Sequence, residues 1–478
     1  MPAHAPLHTN ATRKRNMNKR HTIVSASLCA LLAGCATAPE PVSVAAVAPP
    51  QWHAPLPHGG NVTDLSQWWR QQGDPVLAQL VEAAQSASPS VATARARVEE
   101  ARAARVAFGA ALLPTLDAAA TVSRSSAQPP LPMGTTSQAG FQSAWEIDLF
   151  GGNRAVRDAA QARLEAASAG WHDARVSVAA ETANLYFSQR ACDSLLAISL
   201  SDTASRAETA RLADLSRQAG FTAPAVAALA RASAAEASAR ATQQRAQCEA
   251  GIKALVALTA LPEPELRQKL VAASGSVPEA AIAIDSLPAQ LLSQRPDVFA
   301  AEREVAAAAA EIGGARAQRF PRLTLSGSIG RANFSTGGTD TRLSTWSIGP
   351  LALSLPVFDA GRRSANIEAA EARYEAAAAG YRARVRQAVR EVEEALISLQ
   401  STAARGEDVR VSVQGYRTSF NATEARYKGG LASLVELEEA RRNRLAAENT
   451  LVFLERERRS AWTALYRAAG GGWTAGQP

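Results

Sequence analysis

The chain has 478 residues, 47% apolar yet only 5% aromatic, with a formal charge of +7. Alanine supplies much of the apolar share, which favours long, closely approaching helices over a thick globular core. Arg13, Lys14, Arg15, Lys19 and Arg20 hold five of the seven net charges before Cys35, and beyond it Arg and Glu alternate along helices, so a nucleic-acid face is excluded.

Residues 1–34 have the parts of an export signal: a basic stretch, the apolar run Thr22–Leu32, and small residues. Met17-Asn18-Lys19-Arg20 offers an alternative start. The segment closes on Leu32-Ala33-Gly34-Cys35, which resembles the bacterial lipobox. Cleavage before Cys35 would leave that thiol to carry lipid. Ala36 follows where an aspartate, by resemblance to enteric lipoproteins, would argue for inner-membrane retention, so the outer membrane is favoured. Residues 35–62 hold Pro39, Pro41, Pro49, Pro50, Pro55 and Pro57 and read as an extended tether.

From there the chain says nearly the same thing twice. Pro89 to Pro296 and Pro114 to Pro321 are the same step of 207 residues. Leu113-Pro114-Thr115-Leu116 is answered by Phe320-Pro321-Arg322-Leu323, and the Asp148–Arg154 segment by Pro356–Arg363. A duplication this long implies two similar halves rather than a solenoid. The expected halves are 63–285 and 286–470, with a short tail over 471–478. Each half holds a helix, a strand hairpin (about 114–150, then 321–358), a long helix (153–219, then 364–428) and a returning helix (222–258, then 431–468).

No proline occurs between Met133 and Ala223, from Ala225 to Leu261, or from Val357 to Gln477, so helices far above ordinary length are allowed. Asn153 to Ala219 would extend about 100 Å at ~1.5 Å per residue. Val385, Val389, Val392, Leu396 and Leu399 step by 4 and 3, as do Val409, Val413, Tyr416, Phe420, Thr423 and Tyr427. Such a seam belongs to a coiled coil and needs partners along its length. Gly220 and Gly430 suit the ends of the long helices, with Thr222 and Ser433 as N-caps of the returning ones. Cys192 and Cys248 lie 28 residues either side of Gly220, at one height in a helical hairpin. A periplasmic disulfide would close a loop of about 57 residues, worth roughly 4 kcal/mol, the alternative being two unpaired buried thiols. His53, His58 and His172 show no metal-ligand spacing, and no cofactor motif occurs.

Between the helices, Phe141, Ser143, Trp145, Ile147 and Leu149 alternate with polar or small residues, as do Leu323, Leu325 and Ile329. Trp346 and Ile348 give way to Leu351, Leu353 and Leu355, a parity change at Gly349-Pro350 that predicts a bulge. These are four amphipathic strands of the kind that face lipid on one side and a wet lumen on the other. Outward loops are expected at Ser125–Ser137 and Ala332–Leu343. No run of 18 apolar residues exists, so a membrane crossing would have to be a closed barrel. Four strands cannot close one, so two or more chains are required.

At this point the chain resembles outer-membrane efflux proteins of the TolC/OprM type, in the NodT-like lipoprotein branch. The lipobox, the two hairpins, Gly251–Thr259 and the tip Ala425-Arg426-Tyr427-Lys428-Gly429-Gly430-Leu431-Ala432-Ser433 carry the resemblance, which covers nearly everything after residue 60. It implies a mainly α fold with β: long coiled-coil hairpins, and four strands per chain in a homotrimeric 12-stranded transmembrane barrel above a periplasmic α-barrel. Segments near Pro262–Ser293 and the C-terminus would form a belt. Partners implied are outer-membrane lipid, a periplasmic adaptor and an inner-membrane pump of the resistance-nodulation-division class. By the same resemblance, Glu436 and Glu439 would form acidic rings at a periplasmic gate, and Gly220, Phe221, Gly430 and Leu431 would meet the adaptor. Glutamate stands here where aspartate is usual, and no acid occupies 225–230 after the first turn.

No phosphate loop, nucleophile elbow or histidine-paired nucleophile appears, so the chain is expected not to be an enzyme. The reading is an efflux channel for small toxic compounds. A type I protein-secretion duct and a non-pore periplasmic structural lipoprotein remain the alternatives.

Overall fold

The computed structural model describes residues 44, 52, 54, 68–71, 74–126, 133–273 and 292–473. The export signal, Cys35, most of the tether, and residues 127–132, 274–291 and 474–478 lie outside the described residues. Among those described, the elements are α1 (Trp68–Gln71), α2 (Pro75–Ala87), α3 (Pro89–Ala110), β1 (Thr115–Ser125), β2 (Gly134–Ile147), α4 (Gly152–Gln218), α5 (Pro224–Thr259) and α6 (Glu263–Ala272). They continue as α7 (Pro296–Ala317), β3 (Arg322–Thr336), β4 (Thr339–Ser354), α8 (Arg362–Lys428) and α9 (Leu434–Ala468), ending in a 3₁₀ turn at Gly470–Gly472. Two compact units cut across the halves read from the sequence, each taking pieces of both.

The strand-bearing unit holds 100–126, 133–164 and 303–378. Its sheet is antiparallel in the order β1-β2-β3-β4, so β1 and β4 are edges. The register puts Phe141 opposite Ala118 and Ile329, and Ile329 opposite Trp346; Trp145 faces Leu325, which faces Leu351. All these share one face, which is apolar. The other carries Asp117, Gln138, Gln142, Glu146, Thr324 and Ser328, and Ser328 and Ser347 share a hydroxyl hydrogen bond of 2.9 Å there. The polar face is concave: a cavity of about 480 Å³ centres on the row Thr121, Gln138, Ala332 and Leu343, and Ala332 is buried. Gly140 and Gly330 oppose each other on this side, and a Cβ at Gly330 would lie 2.6 Å from the Ala139 carbonyl oxygen. Only glycine lets the strands curl so tightly.

The bulge lies at the parity change: Leu325 pairs with Leu351 but Gly327 with Ile348, so Gly349 and Pro350 together oppose Ser326. The expected loop at Ala332–Leu343 is corrected. β3 and β4 continue through it to a two-residue turn at Gly337-Gly338, both at positive φ, the geometry that matches strand twist. Likewise Gly134–Ser137, expected in a loop, begins β2.

The paired segments after each hairpin start the long helices. Asp148 accepts from the Asn153 and Arg154 amides at 3.2 and 2.9 Å, and Asp359 accepts from Gly361 and Arg363 at 3.2 and 3.1 Å. Each carboxylate thereby satisfies orphan donors at a helix N-terminus. Small residues set close helix contact nearby: Ala159, Ala162, Ala307 and Ala310 form one cluster.

The helical unit has the core. Trp68, Leu77, Leu80, Tyr186, Leu255, Leu396, Leu465 and Tyr466 are buried together, with Trp68 stacked on Tyr466 at 5.1 Å. Asp74 caps α2, accepting from Val76 and Leu77 at 3.0 and 3.2 Å, and Tyr186 donates its hydroxyl to the same carboxylate. Part of the tether is not free chain: Ala54 is buried and donates its amide to Glu393 at 2.8 Å. The first seam packs as spaced, with Val385, Val392, Leu396 and Leu399 buried. The second does so at Val413 and Phe420 but leaves Tyr416 exposed.

Candidate functional site: the helix turns and the charge cluster behind them

Both long helices end in the same motif. The Phe221 amide donates to the Ser216 carbonyl at 2.9 Å and Gly220 to Arg217 at 3.0 Å; Leu431 donates to Arg426 at 2.8 Å and Gly430 to Tyr427 at 3.0 Å. Gly220 and Gly430 have φ of 84° and 75°, the left-handed conformation this double bond requires. The residue after each glycine is thrown outward, Phe221 at 87% and Leu431 at 74% exposure. The four tip residues thus present two matched apolar points on rigid turns.

The helix starts that follow differ. Ser433 caps α9 in a full capping box: its hydroxyl accepts from the Glu436 amide at 3.2 Å while Glu436 accepts from the Ser433 amide at 2.6 Å. At the first turn the expected cap at Thr222 is corrected. Ala223 is the N-cap with no side-chain bond, because Pro224 occupies N1 and Thr222 spends its hydroxyl on Ser216 at 2.5 Å.

Glu436 and Glu439 are both exposed and share one side of α9. The Ser433 backbone amide, then its hydroxyl, hold the Glu436 carboxyl below its ordinary value. One carboxylate oxygen of Glu436 is therefore committed to the helix start, whereas Glu439 has no such tie to the turn.

Between them in sequence lies Glu438, which the sequence reading passed over, and it belongs to a buried cluster. Arg441 is 0% exposed. It pairs with Glu438, lies 3.8 Å from Asp202, and donates to the Ser205 and Thr209 hydroxyls at 3.1 Å each. Arg206 makes a two-oxygen contact with Asp202 (3.0 and 2.9 Å) and also pairs with Glu438. Phe420 lies beneath Arg444, whose guanidinium carbon is 4.0 Å from the ring centre. Burial pulls the Arg441 guanidinium below its usual value, yet an arginine stays charged. Glu438 and Arg441 thus lie on the packed side of α9 and not on a solvated one. A signal existed: Leu434, Leu437 and Arg441 step by 3 and 4, placing the arginine on the buried stripe.

Cys192 and Cys248 are joined as a disulfide, with Cα atoms 5.6 Å apart, tying α4 to α5. Among the described residues no group of His, Cys, Asp or Glu could hold a metal ion, and no helix is long and apolar enough to cross a membrane. Cys35 lies outside the described residues.

The family model described as outer membrane efflux protein matches residues 80–261 and 287–471. The outer membrane protein OprJ of Pseudomonas aeruginosa is 32% identical over 469 residues, 95% of this chain and 96% of the relative. Nodulation protein T of Rhizobium leguminosarum bv. viciae is 27% identical over 429 residues, 90% of this chain and 89% of the relative. The solved outer-membrane channel OprN superposes with a TM-score of 0.80 at 30% identity, covering 91% of this chain and 98% of that one. With the sheet, the long helices and these matches together, the chain belongs to the outer membrane efflux protein family: it is a transport channel protein of the outer membrane with Nodulation protein T among its relatives, and not an enzyme.

Proposed function

We propose that three copies of this chain close their sheets into one 12-stranded transmembrane barrel and their long helices into a periplasmic α-barrel. The protein then serves as the outer-membrane duct of a tripartite efflux system. One observation carries the reading: a four-stranded antiparallel sheet, apolar on its convex face and polar on its concave face, with edge strands β1 and β4 each paired on one side only. An open, apolar edge is a liability in water and is removed by closure. Lateral demand from the helices supports the same conclusion, since α3 buries no residue within the chain. Matching element lengths support an internal two-fold repeat: α4 and α8 have 67 residues each, α3 and α7 have 22 each.

In this reading Cys35 is lipidated and anchors the chain in the outer membrane. The turns at Gly220-Phe221 and Gly430-Leu431 meet a periplasmic adaptor. That adaptor connects to an inner-membrane pump of the resistance-nodulation-division class, and the cargo is small toxic compounds. Threefold repetition of Glu436 and Glu439 would make like-charged rings that favour cations and resist anions. The purified full chain should run as a heat-modifiable trimer and conduct in planar bilayers. Glu436→Lys with Glu439→Lys should shift small-ion selectivity away from cations. A monomer without conductance would defeat the duct itself; unchanged selectivity would remove only the two glutamates from the gate.

A further inference from the structure

The apolar face of the sheet does not stay apolar to its turn end. One row across it pairs the aromatic rings of Phe141 and Trp346 with Ile329 between them, Trp346 at 75% exposure. Moving toward the turns on the same face, the next row has Arg331 opposite Ser344, the next has Asn333 opposite Arg342, and the last has Arg124 opposite Thr135. At about 3.4 Å per residue, Arg331 lies roughly 7 Å beyond the aromatic row along the strand and Arg342 roughly 14 Å beyond it. All three arginines are exposed. None has an ion-pair or hydrogen-bond partner among the described residues.

Counter-charge within the chain is scarce at this end. Asp340 is the one acid on this face among the described residues, and it forms no ion pair there. The 127–132 stretch, Ala-Gln-Pro-Pro-Leu-Pro, contains no acid. The cations are all arginine and the strands carry no lysine, a choice that suits planar, two-pronged contact with phosphate oxygens. Unpaired guanidinium groups directly past an aromatic row, on a face that is apolar up to that row and polar beyond it, sit where a bilayer changes from hydrocarbon to headgroup. In hydrocarbon they would be costly, whereas at that depth a phosphate supplies the missing partner.

We propose that Arg331 and Arg342, with Arg124, form a binding site on the lipid side of the sheet for the phosphorylated glycolipid headgroups of the outer leaflet. This rests on the reading that the apolar face meets lipid. Closure of the sheet against a second copy would set β1, with Arg124, against β4, which carries both Arg342 and Asp340, and extend the site around the barrel.

The test uses the purified full-length oligomer and native mass spectrometry with three added lipids: bis-phosphorylated lipid A, its dephosphorylated form, and phosphatidylglycerol. The expected result is retention of the bis-phosphorylated form above the other two. Retention should fall about tenfold or more in Arg331→Gln with Arg342→Gln. It should not fall in Arg322→Gln, which lies on the polar face. In parallel, quenching of tryptophan fluorescence by brominated lipid is compared between the wild-type chain and Trp346→Phe. If Trp346 is quenched and the double variant retains lipid A as before, the site is overturned while the lipid-facing reading stands. If phosphatidylglycerol is held equally and lost equally, the assignment to glycolipid is overturned. If Trp346 is not quenched, the face does not meet lipid and both fall.

Discussion

The helical unit covers its apolar side chains with its own core, whereas the sheet of the strand-bearing unit leaves an apolar face bare. Tyr186, Leu255, Leu396, Leu437 and Leu465 are fully buried in the first, while Phe141, Ile329, Trp346, Ile348 and Leu351 are exposed in the second. A contiguous apolar face with two open edges is a surface awaiting a partner or a membrane. Stability of the helical unit's core is therefore a property of the single chain. In the sheet it is a property of the assembly, and mutations in the two regions should fail in different assays.

The largest effect is expected in the sheet. A valine at Gly330 would drive its Cβ into backbone atoms, 2.6 Å from the Ala139 carbonyl oxygen and 3.0 Å from the Gly140 Cα, where nothing flexible can yield. Gly330→Val should abolish the heat-modifiable oligomer and its conductance. Circular dichroism should still report the helices, because the helical core does not include this strand. Loss of helix in the same sample would erase the distinction between the regions.

In the helical unit the corresponding break is Arg441→Met. It leaves Asp202 and Glu438 short of a buried partner, a change that typically costs about 3–5 kcal/mol. Thermal melts should show the drop. Adding Glu438→Gln should recover part of it, since Arg206 then answers Asp202 alone. The neighbouring exposed Arg442→Ala should stay within about 0.5 kcal/mol of the wild-type chain. Equal losses at 441 and 442 would mean that the cluster is solvated after all.

How legible these regions were in sequence follows from the physics of each. Strand faces and the bulge could be read because side chains alternate with period two, and one misplaced residue reverses the parity, as Gly349-Pro350 does. Helix ends could be read from Gly220 and Gly430 because left-handed backbone is a local demand. The strands' continuation to Gly337-Gly338 was hidden, because Thr, Ser, Asn and Arg at 331–345 look like loop when only hydrophobic alternation is followed. Thr222 was misread as a cap because a proline at N1 moves the helix start by one residue. Glu438 and Arg441 were missed since a charge on a helix is presumed wet, and only the packing of α4 against α9 dries them. Trp52 and Ala54 likewise pack on the core although their proline-rich surroundings read as spacer.

The smallest expected effects separate the two turns. Ser433→Ala removes one half of the capping box and should cost about 1 kcal/mol, and Ala223→Ser should return at most as much at the uncapped first turn. Glu436 adds a pH dependence whose sign is set by its lowered pKa. A carboxylate whose folded pKa lies below its unfolded value contributes stability above the unfolded value and loses it as pH falls through the folded one. The difference between the wild-type chain and Glu436→Gln should therefore be full at neutral pH and fade below the usual carboxylate range, which amide exchange at the second turn would follow. Because Glu436 gives one oxygen to the Ser433 amide, less of its charge is free to face an ion. Glu439→Gln should accordingly shift bilayer cation selectivity more than Glu436→Gln does. The reverse order would mean that the capping bond opens whenever the channel conducts.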